Sequence, residues 1–234
     1  MKRRIVPGLA ALLALTACQQ KWVYEAERNQ RIMATNPPRA TYDVPPQVIY
    51  RIDDHRFITL ENYNHCAGNT WYNETKQGVR TNVGVTWPAG FKGKLIIDDP
   101  TGMNVAIPKV STNLCGDRGC MNYVGYSTGG GRTFAWVQYD RNNISFESVE
   151  SSMLYAFIVL SDRMYVLKRE RYSNDTYVTQ YPLVSGIDLN KPYPEWIRGD
   201  SFRASNRPGF LSGFRTPSGD DHYVCVTPPY RTSR

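Results

Sequence analysis

Gly125-Tyr126-Ser127-Thr128-Gly129 fits G-x-S-x-G, the pattern in which a sharp strand-to-helix turn lifts a serine hydroxyl for attack on an ester or amide carbonyl. The chemistry would be acyl transfer by Ser127, completed in the chain order serine, acid, histidine only by His222. The context opposes it. Gly129-Gly130-Gly131 comes next, and Thr133–Tyr139 then reads as a strand, so the serine falls in a glycine-rich hairpin rather than at the head of a helix. The three histidines, His55, His65 and His222, show neither H-E-x-x-H spacing nor a metal-ligand cluster. No phosphate-binding loop or dinucleotide fingerprint occurs. Asp98-Asp99 and Asp220-Asp221 are adjacent acids flanked by Pro or Gly, a setting of turn residues, and nothing marks them as a glycosidase pair. These residues predict a protein that is not an enzyme and takes no cofactor and no metal.

A second chemistry is written at the N-terminus. Lys2, Arg3 and Arg4 precede an apolar run, Ile5 to Leu15, too short to span a bilayer, and Leu15-Thr16-Ala17-Cys18 closes it. This resembles a bacterial lipobox, which implies removal of residues 1–17, a diacylglycerol on the Cys18 thiol and acylation of the new amino group. Two or three acyl chains anchor durably, since each buried CH₂ contributes about 0.8 kcal/mol. Gln19 in place of Asp favours the outer membrane, facing the periplasm, by the sorting rule of such lipoproteins.

Four cysteines remain, Cys66, Cys115, Cys120 and Cys225, an even number in a compartment that oxidises thiols. They allow three pairings. Cys115-Gly116-Asp117-Arg118-Gly119-Cys120 is a self-contained ring eased by two glycines, which pairs Cys115 with Cys120 and leaves Cys66 for Cys225. A zinc site from His65, Cys66 and the Cys115/Cys120 pair is the alternative, with C-x₄-C spacing loose for zinc.

The formal charge of +7, less the three cations Lys2, Arg3 and Arg4, leaves +4. The densest basic stretch, Lys168-Arg169-Glu170-Arg171, is broken by a carboxylate and fits a solvated strand face better than a nucleic-acid stripe. Trp22 to Met33 suits one short helix, after which Asn36-Pro37-Pro38 and Val44-Pro45-Pro46 favour extended chain. Residues 18–46 thus form a tether reaching at most about 85 Å from the lipid. Residues 47–234 form a single domain.

From Gln47 onward, short β-branched and aromatic runs alternate with Gly, Asn, Asp and Pro clusters, and no apolar period of 3.6 is sustained. The fold class is mostly β, antiparallel hairpins in a small propeller-like or sandwich body. Expected strands are Phe57–Leu60, Thr70–Tyr72, Leu95–Ile97, Val105–Ile107, Tyr123–Tyr126, Thr133–Tyr139, Leu154–Leu160, Met164–Lys168 and Tyr177–Tyr181. Asp98 to Asn104 and Ser161-Asp162-Arg163 read as hairpin turns. Ser127, Gly131, Thr133 and Phe134 resemble the Asp-box hairpin of sialidase-type propellers, with Gly129 where the Asp would stand. Tyr72 to Thr81 offers a looser version of the same hairpin. Residues 188–222 read as irregular chain pinned by Trp196, Phe202, Phe210 and Phe214. With sixteen tyrosines and Gly- and Asn-rich loops, such a body suits binding.

Leu60 to Asn73, Gly78-Val79-Arg80-Thr81, the Cys115–Cys120 ring and the Tyr126–Phe134 stretch together resemble periplasmic immunity lipoproteins that bind phospholipase A1 effectors of type VI secretion. The resemblance covers roughly residues 57–140. It implies a secreted phospholipase as partner, membrane contact through the lipid, no nucleic acid, and inhibition by stoichiometric covering of the lipase active site or lid. Rigid loops lose least entropy on binding, so Gly116, Asp117 and Arg118 of the ring and Tyr126 and Arg132 of the hairpin are the expected contacts. An envelope lipoprotein binding a cell-wall, polysaccharide or assembly partner is the alternative, and an esterase using Ser127 the third.

Overall fold

The computed structural model describes residues 41–42, 44–86, 90–110, 115–117, 119–141 and 145–227. The lipobox with Cys18, the Trp22–Met33 segment and most of the tether lie outside the described residues. From Tyr42 onward the described chain belongs to one compact unit.

The first sheet is an antiparallel meander of β1 (Gln47–Arg51), β2 (Arg56–Asn64), β3 (Ala67–Glu74) and β4 (Val79–Thr86). Its strands obey the period of two. Ile58, Leu60, Thr70 and Tyr72 point inward and are buried, while Phe57, Glu61, Asn69 and Trp71 alternate with them on the other face. A bulge between Val48 and Tyr50 lets Ile49 and Tyr50 both bury.

β5 (Lys94–Ile97) and β6 (Val105–Lys109) come next, then the short ribbon β7 (Cys115–Gly116) and β8 (Gly119–Cys120), and the hairpin β9 (Tyr123–Ser127) and β10 (Ala135–Gln138). After α1 (Ser148–Ser152) come β11 (Tyr155–Val159), β12 (Arg163–Arg169), β13 (Thr176–Pro182) and β14 (Asp200–Arg203). The second sheet runs β10-β9-β6 and the third β14-β13-β12-β11-β5. The fold is mostly β and largely antiparallel, and among the described residues its sheets are open rather than closed into a barrel.

One expected hairpin does not form. The Asp98–Asn104 segment carries the chain from β5 in the third sheet to β6 in the second, and β5 pairs instead with β11, in parallel. The β11–β12 hairpin forms as its Ser161–Arg163 turn suggests, and so do the hairpins at Tyr72–Thr81 and Tyr126–Ala135. β10 is shorter than the Thr133–Tyr139 run.

The main core joins all three sheets, with Tyr139 edge-on to Tyr155 (4.9 Å) and Phe157 (5.1 Å), and Phe91 edge-on to Phe157 (5.6 Å). Tyr50, Tyr72, Tyr126, Tyr139, Tyr155 and Tyr223 are all buried in it, so much of the tyrosine content is core rather than contact surface. The third sheet is covered on both faces. Ile158, Tyr165, Leu167, Val178 and Phe202 form a second cluster under Phe210 and Phe214, with Phe210 edge-on to Tyr165 (4.8 Å) and Phe202 (5.1 Å). Phe202, Phe210 and Phe214 pin the 188–222 chain as expected, but that stretch is not irregular throughout, because Phe202 stands on β14, which pairs with β13; Trp196 pins nothing, being 77% exposed.

The last described segment closes two sheet edges. Ser218 N donates to Ile52 O (3.0 Å) and Val224 N to Ile49 O (2.8 Å) along β1, while Leu95 N of β5 donates to Asp221 O (2.8 Å). Disulfides join Cys66 to Cys225 and Cys115 to Cys120.

Candidate partner interface

Four connections meet at one end of the first sheet: the β1–β2 turn, the β3–β4 turn, the Asp99–Met103 crossover and the β9–β10 tip. Thr75 N donates to His55 O (3.0 Å), Gly130 N to Met103 O (2.9 Å) and Arg132 Nη2 to Gln77 Oε1 (2.9 Å). Glycine is required at the tip: Gly131 has φ +75°, and a Cβ there would lie 2.0 Å from the Tyr72 ring. Beneath the turns sits a buried polar layer. Arg56 Nε donates to Asp53 Oδ2 (2.7 Å) and Nη1 to Asp99 O (3.0 Å), while Glu74 Oε1 accepts the amide of Lys76 (2.8 Å). Burial raises the pKa of Tyr72 above the usual phenol range, against the pull of the Arg56 charge. Burial alone would raise Asp53 too, but the amides of His55 and Arg56 and the Arg56 guanidinium donate to it and hold its carboxyl below the ordinary value.

Asp53, Asp54 and His55 bring ligand-type atoms within 4.8 Å of one another. Asp53 is already committed to Arg56, His55 bonds to Asp54, and Lys76 adds a cation 3.4 Å from Asp54. The group is a hydrogen-bonded turn whose charges are internally matched.

The sequence-predicted contacts fall in different places. Arg132 is exposed at the tip, and Gly116 and Asp117 are exposed on the disulfide ring; Arg118 lies outside the described residues. The ring packs elsewhere, with Cys120 N donating to Ser145 O (2.9 Å) beside the exposed Phe146. Tyr126 must be withdrawn as a contact. It is 2% exposed, and its hydroxyl donates to Ile187 O (3.2 Å) and accepts Leu189 N (2.9 Å). A rigid hairpin buries one side of its strands, and Tyr126 is on that side.

Ser127 is buried as well, and its Oγ accepts the amides of Gly129 (3.2 Å) and Gly131 (3.0 Å). His222 bonds instead to Asp221 (2.5 Å), beside Lys94. Asp220 accepts Arg51 N (2.8 Å), so the two acids of that pair serve separate contacts.

The outer face of the first sheet is a feature that reading for motifs missed. Arg51, Phe57, Asn73 and Arg80 form one cross-strand row, and Trp71 stands in the next, opposite Thr59. The Arg80 guanidinium lies 3.9 Å from the Trp71 ring centroid and grips Glu61 through both carboxylate oxygens (2.8 and 2.7 Å). Arg51 lies 5.3 Å over Phe57, and Asn73 Nδ2 donates to Thr59 Oγ1 (3.1 Å) beneath them. The signal was available in the alternation: once Ile58, Leu60 and Tyr72 are assigned inward, Phe57 and Trp71 must face out.

A family model described as T6SS Tli3 immunity protein matches residues 42–168, more than half of the chain and every strand from β1 into β12. No curated protein matches it.

Proposed function

We propose, because the chain belongs to the T6SS Tli3 immunity protein family, that it binds and neutralises a secreted antibacterial phospholipase effector by stoichiometric occlusion, without catalysis of its own. The observation that carries this reading is the match over residues 42–168. Immunity by occlusion asks for a rigid surface rather than a reactive group. The hydrogen-bonded turns and the ion-paired sheet face are pre-ordered, which lowers the entropy lost on binding, and the buried Ser127 serves its own turn. The lipobox motif supports a site of action on the periplasmic side of the outer membrane. An anchor there raises the inhibitor's local concentration where the effector meets its lipid substrate.

Residues 19–234, immobilised and exposed to secreted type VI effectors, should retain a phospholipase whose activity disappears at one equivalent of this chain. Capture of no effector, retention of full lipase activity in the complex, or ester hydrolysis by the chain itself would overturn the reading.

A further inference from the structure

We propose that the outer face of the first sheet, centred on Arg51, Phe57, Trp71 and Arg80, is the surface that docks the effector; the proposal rests on the immunity reading. Among the described residues, Phe57 and Trp71 pack against neither hydrophobic cluster. Two large aromatic rings on the outside of an antiparallel sheet contribute nothing to the core beneath it, and each is roofed by an arginine of its own sheet. Tryptophan and arginine are the residue types that dominate binding hot spots when a partner seals them from water. Here the cation–π contacts, the bidentate Arg80–Glu61 pair and the Asn73–Thr59 bond hold the side chains in place before any partner arrives.

Charge identifies the occupant. Arg80 is neutralised by Glu61, whereas the Arg51 guanidinium meets no carboxylate among the described residues. The face therefore fits a folded protein surface that offers one carboxylate to Arg51 and apolar groups to Phe57 and Trp71. A second copy of this chain fits poorly, since the carboxylate of this face, Glu61, is already held by Arg80. A single unmatched cation is also far fewer than an anionic membrane surface demands. Size then sets the extent. Four strands about 4.8 Å apart present roughly 500 Å² on one face, against about 800 Å² per partner in a standard interface. The contact must continue beyond the sheet, and the row Arg51–Phe57–Asn73–Arg80 leads to the β3–β4 turn, where Gln77 joins Arg132 of the β9–β10 tip.

The test measures affinity of the captured lipase for residues 19–234 and for variants whose melting temperatures are recorded in parallel. Arg51→Glu and Trp71→Ala should each weaken binding at least tenfold, and Tyr172→Ser, at a fully exposed position outside the face, should change it less than twofold. The pair Glu61→Arg with Arg80→Glu restores the ion pair while removing the guanidinium from Trp71. It should recover the melting temperature lost in Arg80→Glu alone and leave affinity low; recovery of both would reduce Arg80 to a role within the fold. Unchanged affinity in Arg51→Glu and Trp71→Ala, with loss in Asp117→Arg, would move the interface to the disulfide ring and leave the immunity reading standing. A wild-type dimer dissociated by Arg51→Glu would make the face a self-association surface and overturn the proposal. Failure of the wild type to hold any effector would defeat both readings together.

Discussion

Ser127 Oγ accepts two amides, from Gly129 at 3.2 Å and Gly131 at 3.0 Å, and with these its lone pairs are spent on the β9–β10 tip. Of the two glycines that complete G-x-S-x-G, Gly129 serves the same tip beside Gly130 and Gly131, which take φ of +65° and +75°, while Gly125 stays within β9 against the Trp136 ring. A nucleophile elbow and a capped glycine hairpin share a local sequence because both need a small polar side chain beside backbone that bends sharply. Only the next element along the chain, a strand rather than a helix, separates the two. Ser127→Ala removes the acceptor and leaves the buried Gly131 amide unpaired, at a cost of about 1–3 kcal/mol. In a domain of this size that lowers the melting temperature by roughly 2–4 °C for each kcal/mol. The expected result is a less stable chain that still holds the effector stoichiometrically below its melting temperature. A variant of undiminished stability that loses an ester-hydrolysing activity of the wild type would restore Ser127 as a nucleophile.

At the scale of elements, β2, β3, β5, β6 and β9 to β13 were legible because alternation and apolar runs are local, and so were hairpin partners across short turns; β1, β4 and β14, and the pairing of strands far apart in the chain, were not. Asp98 to Asn104 carries the residues of a hairpin turn, yet these only end β5. Where β5 pairs is decided by β11, a run buried on both faces and far along the chain, which accepts β5 in parallel. The crossover so created needs more than turn chemistry. Asp99 Oδ1 accepts Thr101 N (2.9 Å) and Thr101 Oγ1 (2.6 Å), and Oδ2 accepts the buried Asn104 N (2.7 Å). The Asp99 carbonyl in turn receives Arg56 of the first sheet (3.0 Å), so one residue ties three sheets together. Asp99→Ala strands these donors and should destabilise by about 2–4 kcal/mol. Asp99→Asn, which keeps one carbonyl acceptor, should lose about half as much. Urea unfolding of both variants decides it: equal, small losses would show the crossover held by packing alone. The outer face of the first sheet was hidden for a similar reason. Arg51, Phe57, Trp71 and Arg80 lie on four different strands, and only register brings them into adjacent rows.

For the whole molecule, the decisive connection is the one closed by Cys66 and Cys225, which spans 159 residues and binds the last described segment to the β2–β3 turn. The pairing could be read from the cysteine count and the small Cys115–Cys120 ring. The path of the segment could not, because residues 216–226 form no strand of their own and their hydrogen bonds go to edges left open by β1 and β5. Those edges would otherwise expose unpaired amides and carbonyls to pairing with other chains. The segment also delivers Thr216 Oγ1 to the Tyr50 hydroxyl (2.7 Å) and seats Tyr223 edge-on to Tyr50 (5.8 Å) inside the main core. On the loop-entropy account, closing 159 residues contributes about 5 kcal/mol and closing five about 2 kcal/mol. Removing Cys66 and Cys225 together, both to Ala, should therefore cost more than removing Cys115 and Cys120. The two losses should also differ in place. Hydrogen exchange should quicken at Val224 and at Leu95 of β5, whose amides the segment binds or supplies, and should leave β9 and β10 unchanged. If exchange rises evenly over every sheet instead, the long bridge acts only on the unfolded chain, and the segment is held by Thr216 and Tyr223 without it.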